Sequence, residues 1–230
     1  MGEKYRVQKL LSRYGYCSRR KGEELIKEGK VKVNDNTISL GDQAGEEDKI
    51  FVNNQLIKKQ KNIYLMFNKP VGCVTSLKDP KYKTVMAYID IVERVFPIGR
   101  LDYNTSGMLL LTNDGDFANK VMHPRYEIKK TYVVNLQNAL TEKQISEIKN
   151  GIELEDGKTS PAKIKRISYN LYEITIHEGK NRIIRRMMKT LGMAIKTLER
   201  TRIENLELKG LKMGKYKELT KEQIDSILKN

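Results

Sequence analysis

The stretch best able to support chemistry is Gly99-Arg100-Leu101-Asp102-Tyr103-Asn104-Thr105-Ser106-Gly107, which runs directly into Met108-Leu109-Leu110-Leu111. A polar loop bounded by glycines and packed against a buried apolar strand can hold one carboxylate on a rigid base. A carboxylate held that way can act as a nucleophile. Taken alone, however, Asp102 reads first as a loop or capping aspartate. Arg100, two residues earlier, could pair with it or with a phosphate. His123 and His177 are too few and too isolated for a metal site or a triad, and His123, just before Pro124, reads as structural. Cys17 and Cys73 lie far apart, which argues against a disulfide framework and against a cysteine-based metal centre. Cys73, next to Gly72, reads as a small packed residue rather than a reactive thiol.

Two basic stretches accompany this loop. Between Ile176 and Tyr216 there are 11 basic residues and 4 acidic ones, with Lys180, Arg182, Arg185, Arg186, Lys189, Lys196, Arg200 and Arg202 among the bases. Near the start, Lys9, Arg13 and the run Arg19-Arg20-Lys21 cluster beside an expected helix start, where backbone N–H groups also attract phosphate. Each lysine taken singly reads as a solvated charge. Together they outline an electrostatic footprint for a polyanion.

The elements that must position these residues fall into two groups. Over residues 1–60, Val7, Leu10, Leu11 and Tyr14 recur with helical spacing, and Gly15 can end that helix. Ser18 can cap a second helix carrying Leu25 and Ile26 and stopping near Gly29. Val31-Lys32-Val33 and Ile50-Phe51-Val52 alternate as strands beside the turn-prone Asn34-Asp35-Asn36 and Asn53-Asn54. Lys58-Lys59-Gln60-Lys61-Asn62 reads as a short polar linker. Beyond it, strands are expected at Ile63 to Phe67, Met108 to Leu111, Thr131 to Leu136 and Tyr172 to Ile176, with turn signals at Thr112-Asn113-Asp114-Gly115. Capping-box spacing at Thr141–Gln144 and Thr220–Gln223 predicts two helices, and Arg182 to Leu191 reads as a basic one. Strands broken by isolated helices, without a βαβ rhythm, predict an α+β fold with a mainly antiparallel mixed sheet.

The chain has 230 residues, with 39% hydrophobic and 32% charged residues and a net charge of +15. That apolar content supports a core and excludes a disordered basic tail. No apolar run reaches the roughly 18–20 residues of a membrane span, and Met1-Gly2-Glu3-Lys4-Tyr5 lacks the apolar stretch of a signal peptide. A membrane-surface role would need a basic amphipathic helix with an aromatic face, and none stands out. The charge favours a polyanionic partner without choosing among nucleic acid, acidic lipid and plain solubility.

Resemblance narrows this. Tyr5 to Leu11, Gly15-Tyr16-Cys17-Ser18-Arg19-Arg20-Lys21 and Gly29 to Asn34 resemble the S4-type RNA-binding domain. The segments Lys69-Pro70-Val71-Gly72-Cys73-Val74-Thr75-Ser76 and Pro97 through Gly107 resemble the RsuA/RluB-type ribosomal RNA pseudouridine synthases. So, in order and spacing, do His123-Pro124, Lys130-Thr131-Tyr132-Val133-Val134, Glu178 through Met187 and Leu198 through Ile203. The resemblance implies that Asp102 is the catalytic nucleophile, that Tyr132 stacks on the target uracil and that Arg185 pairs with the aspartate. It implies Leu198 as an apolar wall beside the base, although a plain core leucine reads nearly as well. Arg100, Lys180, Arg182 and Arg186 are then expected to bind substrate, and Lys9, Arg13, Arg19, Arg20 and Lys21 to bind RNA. Ile183 departs from the glutamine common in that family, which removes one polar group near the site.

The expected organisation is an RNA-binding domain over 1–60 and a catalytic domain with a cleft over 61–230. The expected function is isomerisation of one uridine of ribosomal RNA on a flipped-out base, without metal or organic cofactor, by a cytoplasmic monomer. The rival is an RNA-binding ribosome-assembly factor with the same fold and dispensable activity; the retained Asp102 favours the enzyme.

Overall fold

The computed structural model describes residues 2–228, which fall into two compact units. One holds the residues up to Ile63, with Ile91–Phe96 and Thr112–Gly115. The other holds Tyr64–Asp90, Pro97–Leu111 and the residues from Asp116 onwards.

In the first unit, α1 (Val7–Arg13) and α2 (Arg19–Lys27) carry the expected apolar faces. Val7, Leu10 and Leu11 are fully buried, and Leu25 and Ile26 join them in a cluster with Val31, Ile50 and Val52. Ser18 caps α2 by accepting from the Lys21 N–H at 3.1 Å. β1 (Val31–Val33) and β2 (Ile50–Val52) pair antiparallel at the centre of a four-stranded sheet, edged by Asn36–Thr37 and Gln55–Leu56. Asn34, Asn53 and Asn54 adopt positive φ, the conformation their turn-forming side chains tolerate best.

In the second unit the principal elements are β3 (Tyr64–Lys69), β4 (Ser106–Thr112), α3 (Gly115–Met122), β5 (Lys130–Leu136), α4 (Glu142–Asn150), β6 (Lys163–Arg166), β7 (Leu171–Ile176), α5 (Ile183–Thr190), β8 (Ile195–Ile203), β9 (Tyr216–Glu218) and α6 (Lys221–Leu228). The strands form one sheet in the order β6-β7-β5-β8-β4-β3-β9, with Phe96–Ile98 beside β4 and Leu206–Glu207 beside β8. β5 pairs antiparallel with both β7 and β8, whereas β8 meets β4 in parallel. In β4 every residue from Gly107 to Thr112 is buried, as a strand covered on both faces requires. β7 instead alternates, with Tyr172, Ile174 and Ile176 inside. Both capping boxes form. Thr141 and Gln144 exchange bonds of 2.9 and 3.3 Å, and Thr220 and Gln223 exchange bonds of 3.1 and 3.3 Å.

The structure adds elements that local pattern does not announce. Asn113-Asp114-Gly115 does more than end β4, because α3 starts at Gly115 and buries Phe117, Ala118 and Val121. β8 is a nine-residue strand despite Lys196, Glu199, Arg200 and Arg202, because its partners on both sides supply the pairing that its composition does not suggest. The basic helix is shorter than expected. Arg182 has φ of 49°, in the left-handed region, and stands just outside α5.

Candidate active site

The loop from Gly99 to Thr105 enters β4 through Gly107, whose place in the sheet permits no side chain. Its φ is +103°, and a Cβ there would lie 2.3 Å from the Arg200 carbonyl oxygen of the adjacent strand. The close approach of β4 and β8 therefore fixes the end of the loop.

Four further groups hold the loop, and none is adjacent to it in sequence. Thr75 Oγ1 donates to the Leu101 carbonyl at 2.8 Å and accepts from the Leu101 N–H at 3.2 Å. The Gly72 N–H donates to the Tyr103 carbonyl at 3.0 Å. Lys69, fully buried at the end of β3, donates to the carbonyls of Asp102 and Thr105 at 3.0 and 2.9 Å, and to its neighbour Pro70 at 3.0 Å. Burial pushes its ammonium below the ordinary lysine pKa, a cost opposed in part by the Asp102 charge. Arg185 on α5 donates to the Asn104 carbonyl at 2.6 Å and to Thr105 Oγ1 at 3.1 Å. The backbone around Asp102 is thus clamped on both sides of the carboxylate.

The side chain of Asp102 is less tightly engaged. Arg185 Nε lies 3.7 Å and Arg182 Nε 3.8 Å from its Oδ2. Both are ion-pair distances, and among the described residues no hydrogen bond reaches this carboxylate. Arg182, the residue before α5, and Arg185 in its first turn both reach Asp102, while Ile183, Ile184, Met187 and Met188 are buried. Burial lowers the Arg185 pKa, partly countered by Asp102, although a guanidinium stays charged throughout the usual range.

Asp102, Arg182 and Arg185 line a cleft shared with Arg100, Tyr132, Lys180 and Leu198. Tyr132 on β5 and Leu198 on β8 are nearly buried yet form part of the wall. Arg100 lines the cleft as an exposed side chain and forms no ion pair with Asp102 among the described residues. Lys180 is tied to the carbonyls of Gly157 and Lys158 at 3.1 Å each and lies 3.7 Å from Glu178. Arg186 is not brought into the cleft: its guanidinium makes a two-pronged pair with Asp156 instead. Ile183, in place of a glutamine, contributes an apolar patch to the cleft wall.

Three cleft-related residues have roles that sequence reading leaves unassigned. Lys69 is the loop clamp described above. Arg200, 4% exposed, donates through Nε to the Met108 carbonyl at 2.7 Å, and its Nη2 is buried without a partner. Lys130 lines the cleft and donates to the Ile128 carbonyl at 3.0 Å. Nothing in local composition marks Lys69 and Arg200 as buried cations or Lys130 as a half-buried one.

In the first unit, Arg19 and Arg20 at the start of α2 are exposed and make no ion pair among the described residues. Lys21 pairs with Glu24 at 2.9 Å. Lys9 and Arg13 both lie 4.5 Å from the centroid of the Tyr5 ring, and Arg13 also reaches Glu46 at 3.3 Å.

Among the described residues no helix is long and apolar enough to cross a membrane, and no cluster of metal-ligating side chains forms. Comparison with known proteins gives the family. Residues 63–190 match the RNA pseudouridylate synthase family, and residues 6–50 match the S4 domain. The chain is 43% identical to ribosomal large subunit pseudouridine synthase B of Bacillus subtilis, over 96% of this chain and 95% of that one. It is 35% identical to the dual-specificity RNA pseudouridine synthase RluF of Escherichia coli K12, over 97% of this chain and 78% of the relative. A crystal structure of a pseudouridylate synthase superposes with a TM-score of 0.73 at 30% identity, covering 96% of this chain and 99% of the other. With a family match over more than half its length and such a relative across nearly all of it, the chain belongs to the RNA pseudouridylate synthase family.

Proposed function

We propose that this protein isomerises a uridine of ribosomal RNA to pseudouridine, with Asp102 as the nucleophile. The observation that carries the reading is the Asp102 carboxylate itself, set on a clamped loop in a cleft with two arginines 3.7 and 3.8 Å away. The names of the relatives, ribosomal and RNA pseudouridine synthases, support the substrate class.

The reaction breaks the bond from uracil N1 to the sugar, turns the base and joins C5 to the sugar. A carboxylate can add to the base or the sugar, or assist loss of a proton. Arg185 aims it. Tyr132 supplies a ring on which the uracil stacks, and Leu198 supplies an apolar wall. Unstacking the nucleotide costs a few kcal/mol; phosphate contacts from Arg100, Lys180 and Arg182 offset that cost. On the first unit, Lys9, Arg13, Arg19, Arg20 and Lys21 form the RNA-contacting face, with Arg19 and Arg20 the most available. We place the domain boundary at residues 60/61 and take the enzyme to be a cytoplasmic monomer acting where ribosomal RNA is made.

Asp102→Asn tests the assignment. Pseudouridine formation should fall by roughly 10⁴-fold or more, as expected for loss of a nucleophile, while RNA affinity stays near that of the parent protein. A variant that modifies RNA at the normal rate removes Asp102 from the chemistry.

A further inference from the structure

Lys130 is a half-buried cation lining the cleft that the roles proposed so far do not use. It sits at the start of β5, two residues from Tyr132, so both side chains project from the same face of the strand into the cleft. Its register partner on β8 is Ile203 and that of Tyr132 is Arg200. Its ammonium donates only to the Ile128 carbonyl and forms no ion pair among the described residues.

The carboxylate of Glu204, one residue beyond the register partner of Lys130, is engaged by Lys129 instead. Glu204 accepts from the Lys129 N–H at 2.5 Å and lies 3.8 Å from the Lys129 ammonium. Arg200, by contrast, is fixed beside the same wall by its bond to Met108. A half-buried lysine that lines the cleft beside Tyr132 and makes no ion pair among the described residues is suited to giving up its proton. Consistent with this geometry, its pKa is pushed down to about 8, first by burial and then by Arg200, with Glu204 opposing. The other charged groups around the cleft are Asp102 with Arg182 and Arg185, Arg100, and the Glu178–Lys180 pair. His177 follows the β7 residue that pairs with Lys130 and lies 3.8 Å from Glu127.

We infer that Lys130 is the proton carrier of the isomerisation, taking the proton from uracil C5 and returning it to N1. The inference rests on the function proposed above. Once C5 is bonded to the sugar, it carries one hydrogen that the product lacks, and N1 lacks one that the product has. The neutral Lys130 amine accepts the C5 proton, and the C–H electron pair moves into the ring to restore the C5–C6 double bond, leaving the negative charge on N1. The ammonium then gives its proton to N1, so the amine is regenerated and no other reactant is consumed. A carrier that both takes and returns a proton works best with a pKa near the working pH.

The test is single-turnover pseudouridine formation on unmodified ribosomal RNA, across pH, with the parent protein, Lys130→Arg and Lys130→Met. The parent rate should rise with a midpoint near pH 8 and level off at higher pH. Both variants should lose roughly 10²–10⁴-fold together with that rise, even though arginine keeps the positive charge. RNA carrying deuterium at uracil C5 should react more slowly than protium RNA in the variants, because the C5 step becomes limiting. Parent-like activity in Lys130→Arg, or an unchanged pH profile in either variant, overturns the inference while leaving the isomerase reading intact. A parent protein that makes no pseudouridine overturns that reading and this one together. Should the variants fail to fold, pH-dependent acylation of Lys130 in the parent decides: a midpoint near 8 supports the role, and one near the ordinary value of about 10.4 contradicts it.

Discussion

Arg185 beside Asp102 and the arginines opening α2 carry the same charge in opposite surroundings. Arg185 keeps a fifth of its side chain exposed and spends its donors on the Asn104 carbonyl and Thr105 Oγ1 while its Nε approaches the carboxylate. Arg19 and Arg20 are exposed and make no ion pair among the described residues. A guanidinium held in one place can orient a reacting group, whereas one free in solvent can only meet phosphates as they arrive. Counting positive charge, as +15 invites, merges two jobs that burial separates.

Substitutions can break or sharpen that contrast. The largest effect is expected from Arg185→Met. It should lower the single-turnover rate by roughly 10²–10³-fold, the usual loss when one fixed electrostatic donor is removed, with RNA affinity little changed. Arg185→Lys should recover only part of the rate, because an ammonium cannot reproduce the planar fork that spans loop and carboxylate. If affinity fell as much as rate, the cleft arginine would be another phosphate contact and the contrast would collapse.

Lys69→Met should come next. It leaves the buried carbonyls of Asp102 and Thr105 without their donor, destabilising the fold by about 1–3 kcal/mol and loosening the loop. Denaturant unfolding reads the first effect and the reaction rate the second.

Arg182→Met should do less, about fivefold or less in rate, because 60% of its side chain is exposed and solvent screens the pair with Asp102. The double change Arg19→Ala with Arg20→Ala should leave the rate at saturating RNA unaltered. It should reduce the slope of log affinity against log salt by about 1.4–1.8 if both arginines meet phosphate. An unchanged slope would take α2 out of the RNA interface.

The elements most legible in sequence were those whose signals are local. Ser18, Thr141 and Thr220 cap their helices because a hydroxyl three residues from an N–H is a short-range arrangement. The alternation of Tyr172 to Ile176 reports a half-buried strand for the same reason. α3 was hidden because Asn113-Asp114-Gly115 serves as both a strand end and a helix start. The clamps on the Asp102 loop could not be read from spacing, since Thr75 and Lys69 reach it across 26 to 36 residues of chain. The Lys69–Ser76 segment was visible as a family resemblance, but its physical purpose needed the fold. Lys130 and Arg200 were equally opaque, because composition makes a lysine or arginine look solvated until its neighbours are known. Arg186 shows the converse: sequence grouped it with Arg182 and Arg185, and the rotation of about 100° per helical residue turned it from Arg185 towards Asp156 instead.

The most direct measurement is pseudouridine mapping of ribosomal RNA from cells with and without this protein, with Asp102→Asn as the replacement allele. The account predicts a uridine that is isomerised only when the parent protein is present and that stays unmodified with the variant. Identical pseudouridine maps in all three strains would contradict it.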